Sequence, residues 1–207
     1  MRLISKTELA LAKMVDVDSP GFGLDCLNVL ADRTEMSTLH FAVRVYEKAM
    51  PQVEDFPVPQ DGPLNLTMPE GGLLVHKDDA LEALKSIPAP KDTRHLPILA
   101  HAVVGMNGAG PKVASTDLSR WSVTNCKKQE AIFPSLDRVW PKGDVTAEIT
   151  FDAAKLAEIL TFMAKHGQGA RRAAAVTISL HGSDHAFEIN STCFDRNIQA
   201  ILMPMRK

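Results

Sequence analysis

His181 and His185 lie four residues apart, with Asp184 between them and Cys193 downstream. These side chains come nearest to a metal-ligand set. On a helix that spacing would converge two imidazoles on one ion, but Gly182-Ser183-Asp184 has the composition of a turn, where convergence does not follow and the ligand set stays incomplete. No metal site is expected. His40, His76, His95 and His101 are isolated and read as surface or packed histidines. Asn107-Gly108-Ala109-Gly110-Pro111-Lys112 lacks the Gly-Lys-Ser/Thr ending of a phosphate loop. Gly167-Gln168-Gly169-Ala170 comes after a predicted helix, whereas a dinucleotide fingerprint precedes one. There is no Gly-x-Ser-x-Gly elbow and no His-Glu-x-x-His. Carboxylates are scattered, so the expectation is a protein that is not an enzyme and needs no cofactor.

The elements that would carry any other function are framed by composition. With 207 residues and 45% hydrophobic content the chain can build a substantial core. A formal net charge of -2 gives no global basic excess, so contact with nucleic acid would have to come from local charge. Three cysteines without a CxxC pair fit reduced thiols. The start of the chain lacks the apolar run of a signal peptide, and no segment approaches a membrane span. The expected location is cytoplasmic.

Residues 1–50 read mainly as helix, opened by Ser5-Lys6-Thr7-Glu8, where serine and glutamate have capping-box spacing. Leu9, Ala12 and Met14 would line its buried face. After a break at Ser19-Pro20-Gly21-Phe22-Gly23, Leu24, Leu27, Val29 and Leu30 continue at near-helical spacing, and Ser37 to Met50 reads as another helix. Prolines punctuate residues 51–71, which are expected to be a linker or a wrapped extended arm.

Past Gly72, short strands alternate with helices, and two passages share an order. One runs from Leu73-Leu74-Val75 into a helix over Asp78–Leu84, then strands at Ala102–Met106 and Lys112–Thr116. The other runs from Ala147–Phe151 into a helix over Asp152–Leu160, then strands at Val176–Leu180, Ala186–Ile189 and Ala200–Met203. Aspartate at each helix start caps free amides and suits the dipole. This is an internal β-α-β-β(-β) repeat, seen in order more than in residues.

Four local sequences add a resemblance. Arg94-His95-Leu96-Pro97-Ile98-Leu99-Ala100-His101, Ala114-Ser115-Thr116-Asp117-Leu118, Phe133-Pro134-Ser135-Leu136-Asp137-Arg138-Val139-Trp140-Pro141 and the ending Ile201-Leu202-Met203-Pro204-Met205-Arg206-Lys207 are similar to segments of the bacterial DNA sliding clamps, the beta subunits of DNA polymerase III. The ending, in Met-Pro-Met-Arg, is the most specific. The resemblance implies an α+β fold over residues 72–207: one clamp-like domain of two β-α-β-β-β half-repeats with two helices on one face of the sheet. A helical N-terminal extension over residues 1–50 and the arm over 51–71 would precede it.

By position, the clamp's groove for short peptide motifs of replication proteins would fall here on Thr116, Leu118 and Trp121, on Pro134, Arg138 and Val139, and on Ile201, Leu202, Met203, Pro204, Met205 and Arg206. Adaptable methionines and a tryptophan anchor suit such a groove. Burial at strand ends would explain the same residues. The clamp's DNA-facing helices imply Lys155, Lys165, His166, Arg171 and Arg172 as contacts to double-stranded DNA. A solvated basic helix end accounts for these equally. The resemblance further implies self-association, since ring closure from one such domain would take several copies. The alternative is an adaptor of clamp fold that binds protein segments without DNA.

Overall fold

The computed structural model describes residues 1–15, 22–46, 51–59, 64–89, 96–144, 148–166, 175–181, 185–192 and 197–205. The fold is mixed α+β, with several antiparallel sheets and few helices. It divides into two compact units, Met1–Trp140 and Pro141–Lys207.

In the first unit the order strand, helix, three strands occurs twice. One run is β1 (Arg2–Ser5), α1 (Lys6–Ala10), β2 (Cys26–Val29), β3 (Thr34–Ser37) and β4 (Ala42–Val45). The other is β5 (Leu73–His76), α2 (Lys77–Ser86), β6 (His101–Asn107), β7 (Gly110–Thr116) and β8 (Trp121–Asn125). The two runs exchange their first strands: the sheets have the orders β1-β6-β7-β8 and β4-β3-β2-β5. Leu3 stands opposite Val103 in one, and Leu27 opposite Val75 in the other. A short helix, α3 (Leu136–Val139), comes next.

The exchange gives the two runs a common core. Ile4, Leu9, Leu27, Val29, Met36, Val75, Ala83 and Val104 belong to one buried cluster, and α1 packs against α2. The expected capping box is present: Ser5 Oγ accepts from Glu8 N at 3.2 Å and Glu8 Oε2 accepts from Ser5 N at 2.9 Å. Helix α2 takes its cap from His76, whose Nδ1 accepts from Asp78 N at 3.3 Å. Asp78 and Asp79 occupy its first turn, where their charge suits the dipole. Pro97–Ala100 forms a 3-10 turn that leads into β6.

The expected helical region over residues 1–50 is corrected. Among the described residues of this region only Lys6–Ala10 is α-helical, continued by a 3-10 turn over Leu11–Met14, and the residues from Cys26 to Val45 form three strands and their turns. In β2, Leu27 and Val29 are buried together while Asn28 between them is half-buried and donates to Glu35. That alternation belongs to a strand, and tertiary pairing with β5 overrides the coincident three-residue spacing of Leu24, Leu27 and Leu30. Residues 37–46 turn at Thr38, whose Oγ1 accepts from His40 N and Phe41 N, and enter β4. Leu9 and Ala12 are buried as expected, but Met14 is exposed. The expected boundary at residue 71 is crossed by the pairing of β5 with β2 and of β1 with β6, because residues 1–50 hold the partner run.

The proline-punctuated stretch is a wrapped arm in its described parts. Phe56 and Leu66 are buried against Leu3, Val103 and Ala114 on the other face of the β1-β6-β7-β8 sheet. Thr67 and Met106 exchange two backbone hydrogen bonds, at 2.9 and 2.8 Å. This close approach needs glycine at position 105, where a Cβ would stand 2.8 Å from Leu66 Cβ and 3.0 Å from Thr67 O.

The second unit packs α4 (Ala153–His166) on a three-stranded sheet of order β11-β10-β9, with β9 (Thr177–Ser179), β10 (Phe187–Thr192) and β11 (Asn197–Leu202). Asp152 Oδ1 caps α4 by accepting from Ala154 N and Lys155 N, at 2.9 and 3.2 Å. Met163, Phe187 and Ile189 are its buried centre, with Phe151 packed on Phe187 at 4.5 Å between ring centroids. Of the strand expected over 147–151, residues 148–151 are not in a strand, although Thr150 O accepts from Met205 N at 2.9 Å.

Candidate functional site

A groove of about 730 Å³ opens in the first unit between the C-terminal end of α2 and the turn from β7 to β8. Its apolar lining includes Leu84, Ile87, Pro88 and Trp121, and its cations are Lys6, Lys85 and Arg120. Ser86 and Ser115 share a hydrogen bond of 2.8 Å across its base, and Ser86 also donates to Ala83 O. The helix end and the strand are thereby held in fixed relation.

The β7–β8 turn is organised by two short polar side chains. Thr116 Oγ1 donates to Arg120 O at 2.8 Å and accepts from Leu118 N, while Asp117 Oδ1 accepts from Ser119 N and Arg120 N. This places Leu118 at φ 73°, a conformation uncommon for a branched side chain, and leaves it 57% exposed. Thr38 organises the equivalent turn between β3 and β4, so the repeat extends to its turn chemistry. Trp121 is half-buried and meets Phe56 edge to face, with ring centroids 5.8 Å apart.

Of the residues carried over by resemblance, Thr116 and Trp121 line this groove and Leu118 stands at the tip of its turn. Pro134, Arg138 and Val139 are exposed around α3, which is fastened elsewhere in the same unit. There Asp137 receives Arg44 at 2.6 Å and Arg33 at 3.2 Å, and Arg44 lies 4.4 Å over the Trp140 ring. Buried Glu35 sits between the two guanidinium groups, 2.8 Å from Arg33 Nε and 2.7 Å from Arg44 Nε. Its hydrogen bond to Arg33 is the main cause that raises that guanidinium's pKa above its ordinary value.

Ile201, Met203 and Met205 are exposed in the second unit, with Leu202 and Pro204 half-buried. Arg206 lies outside the described residues. Lys155 and Lys165 are exposed on α4, with Glu158 also exposed between them, and His166 ends the helix. Arg171 and Arg172, like the Gly182-Ser183-Asp184 turn and Cys193, lie outside the described residues.

Sequence reasoning missed Lys6, Lys85, Ile87 and Ser86 as groove residues. Lys85, Ser86 and Ile87 come from the end of α2, which packs on β7 of its own run, and Lys6 comes from α1 of the other run. It also missed a buried polar network in which Glu8 Oε1 receives Arg2 and Thr34, with Arg2 also donating to Leu30 O and Arg33 O.

The two described cysteines are poorly suited to thiol chemistry. Burial, reinforced by the charges of Asp79 and Glu82, pushes the Cys126 thiol up to about 12. Cys26 is raised further by burial and by its bond to Asp25. Both stay neutral at ordinary pH and are weak nucleophiles. Among the described residues no group of three or more His, Cys, Asp or Glu is placed to hold a metal ion. None of the described helices is long and apolar enough to cross a membrane. No protein-family model matches the chain, and no curated protein matches it either.

Proposed function

We propose that this chain is a clamp-like, non-enzymatic protein of DNA metabolism that self-associates, faces duplex DNA with helix-borne cations and holds short segments of partner proteins in the groove beside Trp121. The observation that carries the reading is the doubled strand-helix-three-strand run of the first unit, with its first strands reciprocally exchanged. Sliding clamps are built from domains that each contain two such units. The four clamp-like local sequences agree with it, and Thr116 and Asp117 of one of them line the groove.

Sedimentation over a range of protein concentrations tests the reading. Association into larger species as concentration rises supports it, and a strictly monomeric species removes encirclement of DNA from the account.

A second reading, an adaptor of the same fold that binds protein segments without DNA, is favoured by the acidic start of α2 and by Glu158 among the lysines of α4. Affinity for duplex DNA separates the two.

A further inference from the structure

We propose that the groove between α2 and the β7–β8 turn selects an extended peptide segment that carries acidic side chains, an inference resting on the reading of this groove as a peptide site. Lys6, Lys85 and Arg120 surround an apolar lining of Leu84, Ile87, Pro88 and Trp121. Among the described residues, none of these three cations is paired with a carboxylate. Lys6 Nζ donates to a neutral acceptor, Pro88 O, at 2.5 Å. Asp117 is the one carboxylate in the described lining, and its Oδ1 is committed to the amides of Ser119 and Arg120 at 2.9 and 2.7 Å.

The groove therefore carries three cations against one carboxylate, an excess of positive charge at its rim, with apolar surface within. An acidic segment with apolar anchors complements both, and complementary charge chiefly confers specificity and association rate. A nucleic-acid strand fits less well. Stacked bases need open aromatic faces along a continuous basic track, whereas Trp121 is half-buried with its ring engaged by Phe56.

The test is fluorescence anisotropy of the full chain with a short fluorescein-labelled peptide alternating leucine and aspartate, against the same peptide with asparagine in place of aspartate. At low salt the aspartate peptide is expected to bind about tenfold tighter, since three partly exposed pairs contribute a fraction of a kcal/mol each. A Lys85→Glu, Arg120→Glu double variant should lose that preference while keeping the melting temperature of the unaltered chain, because both residues are exposed. Equal binding of the two peptides, or a preference that survives in the double variant, overturns acidic selection and leaves the groove reading standing. Binding of neither peptide overturns both. A single-stranded oligonucleotide that displaces the aspartate peptide at equal concentration overturns the proposal in favour of nucleic acid.

Discussion

Leu27 of β2 stands opposite Val75 of β5, both fully buried, and the two residues belong to different strand-helix-three-strand runs. Neither run completes its sheet without the other. Leu27→Ala is therefore expected to cost about 2–5 kcal/mol, as large-to-small changes in a packed core do. Native-state hydrogen exchange should show protection falling together in β2 and in β6. Loss confined to β2 would mean that the runs are energetically separate.

Glu8 is fully buried, with Arg2 as its charged partner and Thr34 donating to the same oxygen. Glu8→Gln keeps the shape and leaves the Arg2 charge unbalanced. A loss of about 3–5 kcal/mol in urea unfolding is expected, because breaking a buried pair strands its partner. Arg2→Met with Glu8→Leu should recover part of that loss, since an apolar pair removes both charges.

The elements that could be read from sequence are those whose signals are local. Ser5 and Glu8 announce a helix start by spacing alone, and α2, β6, β7 and α4 are legible from aspartates at the helix starts and from apolar runs, although the cap of α2 is His76 and only α4 is capped by its aspartate. The strand β2 could not be read this way, because Leu24, Leu27 and Leu30 fit a helical period. Only the pairing with β5 selects the alternation of Leu27 with Val29. The same long-range pairing hid the partner of the second run: its companion is residues 2–45, not the similar passage around α4. At the candidate site, Thr116 and Trp121 were named through the resemblance to the clamp's groove. Lys6, Ser86 and Ile87 were not, because Lys6 reaches the groove from the other run and the packing of the end of α2 on β7 joins residues far apart in sequence. Asp137 meets Arg33 and Arg44 from distant sequence, so no spacing rule could have found that cluster.

Asp137 is 66% exposed while its partner Arg44 is 7% exposed. Asp137→Asn is expected to change global stability by no more than about 1 kcal/mol, since exposed pairs contribute little and salt screens them. Amide exchange over residues 136–140 should quicken all the same, because the carboxylate joins α3 to β4 and to the turn before β3. Raising salt should reproduce part of the effect in the unaltered protein.

Cys126 yields a pH dependence with a definite sign. Its thiol is pushed from an ordinary 9.0 to about 12 by burial and by the charges of Asp79 and Glu82. Above pH 9 the unfolded chain loses that proton while the folded chain keeps it, so fewer protons are bound in the unfolded state and stability falls as pH rises. The contribution is complete below pH 9 and is lost between 9 and about 12. Cys126→Ala should flatten this part of a denaturation profile. Iodoacetamide should leave Cys126 unmodified in the native protein at pH 8 and label it in urea.

Fluorescence anisotropy of labelled duplex DNA with the full chain, at low and at high salt, decides whether the protein holds DNA. A clamp-like protein that holds DNA through phosphate contacts should bind at low salt, weaken steeply as salt rises, and show no preference among sequences. Lys155→Glu with Lys165→Glu should weaken that binding further. Absence of binding at low salt would rule out a DNA-holding clamp and leave the adaptor in its place.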